Sequence, residues 1–149
     1  MKSIYEQQTT DDLLNRINQL NNTSQASWGK MNAAQMLAHC NATYKVLNDN
    51  YPKPNAIKKL FLKLFVKNIV VSDKPYKKNS PTSPDFIISD EREFEKEKTN
   101  LIQNIITTQK LGTSYFEGKA SPGFGVLTAK EWSNLFYKHL DHHLAQFGV

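Results

Sequence analysis

The stretch TAKEWSNLFYKHLDHHLAQFG, residues 128–148, decides how this chain is read. Thr128 with Glu131 three residues on has the form of a capping box, which opens a helix by satisfying its first free N–H groups. Trp132, Leu135, Phe136, His139, His143 and Phe147 then recur at steps of three and four, one stripe of a helix running to about Phe147. Gly148 is placed to end it. The stripe is apolar except for two imidazoles, so His139 and His143 point where a core should be. They lie one turn apart on one face, a spacing that lets both reach one metal ion. His142 falls on the flank, and Asp141 points to roughly the opposite side.

Working outward, only one other histidine exists. His39 lies in a helix expected from about Asn32 to Leu47, on a side shared with Met36, Ala42, Thr43 and Val46. Imidazoles converging on an apolar interior are costly unless paired, and a metal would satisfy all three. Hydrogen-bonded core histidines at the same spacing are equally common, so position alone leaves both readings open. Leu140 stands where a zincin would carry its glutamate base, which removes support for that peptidase chemistry. Asp141 is on the wrong side to complete a facial triad for iron, and no acid neighbours His39 in helical phase. Three neutral histidines would leave an ion its full charge and open positions for water or an anionic ligand. Cys40, about 100° round the helix from His39, reads as a small buried apolar residue.

The remaining chain is also helical in pattern. A first helix is expected near Thr10 as N-cap, with Leu13, Leu14, Ile17 and Leu20 inward. The Asn48 to Pro54 stretch should be irregular. Ala56 to Lys67 behind Asn55 forms a basic amphipathic helix with Ile57, Leu60, Phe61, Leu64 and Phe65 on one face. Val71 to Phe86 is a long connection with three prolines. A fourth long pattern runs from after Asp90 to about Lys110, ended by Gly112, and Ser114 to Gly125 is a second long loop. Ile69 to Ser72 and Phe86 to Ser89 are the only β-like fragments. The expected class is therefore all-α, a bundle of four long helices and a short one.

Composition narrows the function. The 149 residues are 39% hydrophobic and 22% charged, the range of one globular domain. One cysteine excludes an intrachain disulfide framework. The first fifteen residues lack an apolar signal core, and lysines interrupt the longest apolar run around Ile57 to Val71, so a cytoplasmic protein is expected. Eight lysines fall between Lys53 and Lys78, opposed only by Asp73. Without interleaved aromatics these argue against nucleic-acid binding and read first as a solvated face, with membrane contact disfavoured. No P-loop, GxGxxG or GxSxG occurs.

The runs WGKMNAAQMLAHC (residues 28–40), FGVLT (124–128) with Glu131 and Trp132, and HLDHHLAQFG (139–148) resemble the DinB/YfiT-like superfamily of metalloproteins, most closely a small bacterial branch of unknown function. The resemblance spans nearly the whole chain and is specific in the two histidine segments. It implies a DinB-like four-helix bundle in up-down-down-up order over residues 1–149, with Lys53 to Phe86 as a long crossover carrying an extra short helix. It also implies His39, His139 and His143 as ligands of a divalent nickel, zinc, iron or manganese ion. Activities of such proteins include thiol-dependent S-transfer and isomerisation with a low-molecular-weight thiol cosubstrate, and many are homodimers. On that reading an ion activates water or a small thiol for transfer or hydrolysis on a small-molecule substrate. His142 is the candidate catalytic base, with a supporting or alternative ligand role also open. Gln35 and Gln146 lie one turn from a ligand, and Trp28 and Trp132, otherwise core anchors, would line the mouth with the Ser121 to Val126 loop. A non-catalytic metal-binding, partner-binding or membrane-surface module is the alternative.

Overall fold

The computed structural model describes residues 1–48 and 54–149, so most of the stretch expected to be irregular, Asn48 to Pro54, lies outside the described residues. The fold is predominantly helical. Four helices build the core: α1 (Gln7–Gln19), α2 (Ala33–Thr43), α5 (Phe94–Phe116) and α6 (Ala129–Gln146). Between α2 and α5 lie α3 (Ala56–Phe61) and α4 (Lys67–Val71), joined by a π turn over Leu62–Val66. The one sheet among the described residues is a two-residue antiparallel pairing of Ala120 with Val126 and Ser121 with Gly125. No described helix is long and apolar enough to cross a membrane.

Local chemistry explains the two helices that matter most. Thr128 and Glu131 form the reciprocal capping box at the start of α6. At its end the N–H groups of Gly148 and Val149 return to the carbonyls of Ala145 and Leu144, the paired pattern of a Schellman stop, with Gly148 at φ 78°. A second capping box starts α2, where Asn32 accepts from the N–H of Gln35 and the Gln35 amide oxygen accepts from the N–H of Asn32. Beyond Thr43 the chain tightens into a 3₁₀ turn over Tyr44–Asn48.

Four expectations change. Thr10 is inside α1, which starts at Gln7 without a side-chain cap. Buried Ile4 donates its N–H to Ser133 Oγ at 3.0 Å, drawing the N-terminus onto α6, and the Thr10 hydroxyl turns inward to the Ile4 carbonyl at 3.2 Å. Gly112 does break α5 (φ 66°), but the chain resumes one more helical turn, which buries Phe116. The expected β-like fragment at Ile69 is the end of α4, and Phe86 closes a 3₁₀ turn over Pro84–Phe86.

The core is aromatic where α6 meets the rest. Phe136 is fully buried, stacked on Tyr44 at 4.7 Å and Trp132 at 5.5 Å, with the Phe116 ring edge-on at 5.6 Å. Cys40 is buried beside Met36, and burial pushes its thiol up, as expected of an inert core residue. Phe136→Ala should cost about 3–5 kcal/mol, read as a lower urea midpoint with unchanged helical circular dichroism before the transition.

Candidate metal centre

The capping boxes set where α2 and α6 begin, and the two helices pack against each other. That packing brings His39 from α2 together with His139 and His143 from α6. Nitrogens of the three rings lie within 4.8 Å of one another. The ring centroids are 4.7 Å (His39 to His139), 4.7 Å (His39 to His143) and 4.8 Å (His139 to His143) apart.

Hydrogen bonds assign the tautomers. His39 Nδ1 is 2.8 Å from the Phe86 carbonyl, which can only accept, so this nitrogen carries the proton. The Gln146 amide nitrogen faces the Trp28 carbonyl, another pure acceptor, so its oxygen is the atom 2.8 Å from His143 Nδ1. That ring too is protonated at Nδ1. In both rings Nε2 then carries the lone pair: that of His143 is left free for an outside partner, and that of His39 faces the third histidine. His139 Nε2 sits 2.8 Å from His39 Nε2, while His139 Nδ1 is buried without a hydrogen-bond partner. The protein alone thus leaves one buried ring nitrogen unsatisfied, and its donors are close enough for one ion with bonds of about 2 Å to draw together.

The electrostatics agree with that donor set. Burial pulls His139 well below the ordinary imidazole value, helped by His143, His39 and His142 nearby. Burial likewise takes His143 down to about 3 and lowers His39, the latter opposed by its bond to Phe86. Neutral imidazoles are what a metal requires as ligands. Among the described residues no carboxylate joins them, so a bound divalent ion would keep its charge.

The surroundings come from three places. Trp28 is half-buried with its ring edge toward His142 at 5.9 Å, and Lys78 Nζ lies 4.3 Å from its ring centroid. His142 is half-buried, between Trp28 and Tyr76 (5.6 Å) and against His143 (5.1 Å), and burial lowers its pKa. Gln146 bridges His143 to Trp28, and its carbonyl also accepts from Ser27 at 2.8 Å. Gln35 is engaged elsewhere, in the α2 cap and with the Asp90 carbonyl at 3.3 Å. Trp132 is buried in the first turn of α6, donating to the Lys119 carbonyl at 3.1 Å beside the small sheet. Trp28 binds the last turn, about 20 Å away along the axis. The two tryptophans therefore do not share a mouth, and the Ser121 to Val126 loop belongs to the far end.

Sequence reasoning missed the crossover's part in the site. Phe86 acts through a backbone carbonyl, which no side-chain pattern reveals. Tyr76 sits in a proline-interrupted connection without periodicity, and its only signal was its position as the one aromatic between Phe65 and Phe86. Asn41 anchors a separate polar network on the α5 side of α2, donating to the Glu97 carbonyl and carboxylate at 2.9 and 2.8 Å and accepting from Asn104 at 3.0 Å. That network borders a cleft away from the histidines.

Residues 4–148 match the family described as Protein of unknown function (DUF1569). The chain belongs to this family. No curated protein and no solved structure gives a significant match. Membership in DUF1569 brings no activity with it, so function must be argued from the site itself.

The depressed histidines have a consequence for stability. Groups held below 6.5 in the folded chain bind fewer protons there than in the unfolded chain, so their contribution is complete above about pH 6.5 and is lost as pH falls toward about 3. Chelator-treated protein should lose urea resistance steadily from about pH 6.5 to about pH 5, and His143→Gln should make that fall shallower.

Proposed function

We propose that this DUF1569 protein is a metal-dependent enzyme of the DinB-like type. On this reading α1, α2, α5 and α6 form an up-down-down-up four-helix bundle, with the segment from α3 to the Pro84–Phe86 turn as the crossover. A divalent ion held by His39, His139 and His143 would supply Lewis acidity toward water or a small thiol, with nickel, zinc, iron and manganese as the candidates. The observation that carries the proposal is the histidine triad whose ligand nitrogens lie within 4.8 Å of one another, with His139 Nδ1 buried and without a hydrogen-bond partner.

The chain's own residues then divide the work. Phe86 and Gln146 hold two ligand rings in the tautomer that presents Nε2. His142 is the proton acceptor for an incoming water or thiol, because its ring is neutral at pH 7 and only half-buried. Trp28 and Tyr76, on either side of it, supply apolar walls for a small electrophilic substrate. Transfer of a small thiol and hydrolysis are the two reaction classes this arrangement serves.

Elemental analysis of protein purified without a polyhistidine tag tests the reading. About one divalent ion per chain is expected in the wild type and none in His139→Ala, with circular dichroism unchanged. Absence of metal in the wild type after incubation with nickel, zinc, manganese and iron(II) would refute it. His142→Ala should retain its metal, which separates a proton-transfer role from ligation. Gln146→Leu should weaken metal affinity by about 10–100-fold, since it frees His143 to rotate.

A further inference from the structure

The helical run from Ala56 to Val71 packs inside out. Leu62, Val66 and Val70 are partly covered, and Val71 is buried. The amphipathic stripe, by contrast, faces solvent: Ile57, Leu60, Phe61, Leu64, Phe65 and Ile69 have exposures from 56% (Phe61) to 83% (Ile57). Phe61 and Phe65 pack on each other with centroids 5.2 Å apart, and no side chain among the described residues buries the stripe. Six large exposed apolar residues in one row form the kind of patch that marks an interaction site, unlike apolar residues scattered singly.

The run is also fixed in place. Asn134 donates to the Val71 carbonyl at 2.8 Å, Lys138 donates to the carbonyls of Ile69 and Ser72 at 2.6 and 2.7 Å, and Lys67 pairs with Glu131 at 3.0 Å. An exposed stripe on a tethered, preformed helix needs no folding step to bind.

Charge selects the occupant. At helical spacing Lys58 and Lys63 flank the stripe; Lys58 pairs with Asp85, whereas Lys59, Lys63, Lys74 and Lys77 pair with no acid among the described residues. A second copy docked through this face would set those cations against their own duplicates, since a two-fold interface pairs a surface with itself. A surface that is apolar inside and anionic at its rim matches both features. We propose that the face of the Ala56–Val71 run docks on an anionic lipid bilayer, its apolar residues entering the headgroup boundary and its lysines meeting acidic headgroups. This surface is independent of the metal reading and stands or falls separately.

Co-sedimentation with vesicles tests it, using untagged full-length protein and either phosphatidylcholine alone or phosphatidylcholine with phosphatidylserine. The wild type should bind the phosphatidylserine vesicles at low salt, bind neutral ones poorly, and weaken as salt rises. Phe61→Asp with Phe65→Asp should lower affinity by about a hundredfold, with the unfolding midpoint confirming an intact fold. Lys59→Glu with Lys63→Glu should reduce binding to the anionic vesicles while leaving the weak neutral binding unchanged. Wild-type protein that stays in the supernatant with both vesicles overturns the proposal. So does full binding by the Phe61→Asp, Phe65→Asp variant. A dimer in sedimentation velocity that the same variant dissociates, without vesicle binding, assigns the face to a second copy and overturns it as well.

Discussion

Everything at the centre of this molecule depends on two ring nitrogens, from helices 100 residues apart in sequence, facing each other at 2.8 Å. Such an approach inside an apolar core is tolerable only if the tautomers are set by other bonds and the last free lone pairs find a partner. The first requirement is met from the crossover for one ring and from within α6 for the other. A carbonyl from the crossover sets His39, and an amide from the last turn of α6 sets His143, itself oriented by the loop before α2. Burial then keeps the rings neutral. The chain spends packing freedom in three separate segments to hold three imidazoles with their donor atoms facing inward.

The parts of this arrangement written in local chemistry were legible in the sequence. The Thr128–Glu131 box and Gly148 delimit α6, and stepping by three and four from Trp132 places His139 and His143 on the inward face. His39 follows from the same counting on α2. Other parts depend on three-dimensional choices that periodicity does not encode. Gln35 looks like a ligand support by spacing, yet its amide closes the α2 cap, because a side chain at the third helical position reaches its own N-terminus more easily than a neighbour. Thr10 has the chemistry of an N-cap, but tertiary anchoring of Ile4 starts the helix earlier. Trp28 and Trp132 share a residue type and sit at opposite ends of α6.

The crossover shows the limit most clearly. Its period announces an amphipathic helix and says nothing about which side meets the protein. The apolar side would ordinarily pack inward. Here the inward contacts are made by Leu62, Val66 and Val70, residues between the positions of the stripe, so the helix is apolar nearly all round toward its end. Leu62 packs so close to Gly123 that a Cβ there would lie 3.0 Å from it. A chain with two apolar sides on one helix can bury one on its own core and must leave the other for solvent or a partner.

Lys138 is what ties this outer helix to the inner site. Its ammonium is buried, and burial lowers its pKa to about 8, opposed by Asp73. An isolated cation in that position would be strongly unfavourable. It is held because α4 ends there: the carbonyls of Ile69 and Ser72 lack helical partners and carry the negative end of the helix dipole, and the Tyr76 ring lies 4.7 Å from Nζ. Moving the crossover away would strand a charge one residue from His139. The same clamp that presents an apolar face to the outside also meets the Tyr76 ring, which lies against His142, and further along the same connection the Phe86 carbonyl meets His39. Outer surface and inner site are two ends of one constraint, set by a lysine that neither of them uses directly.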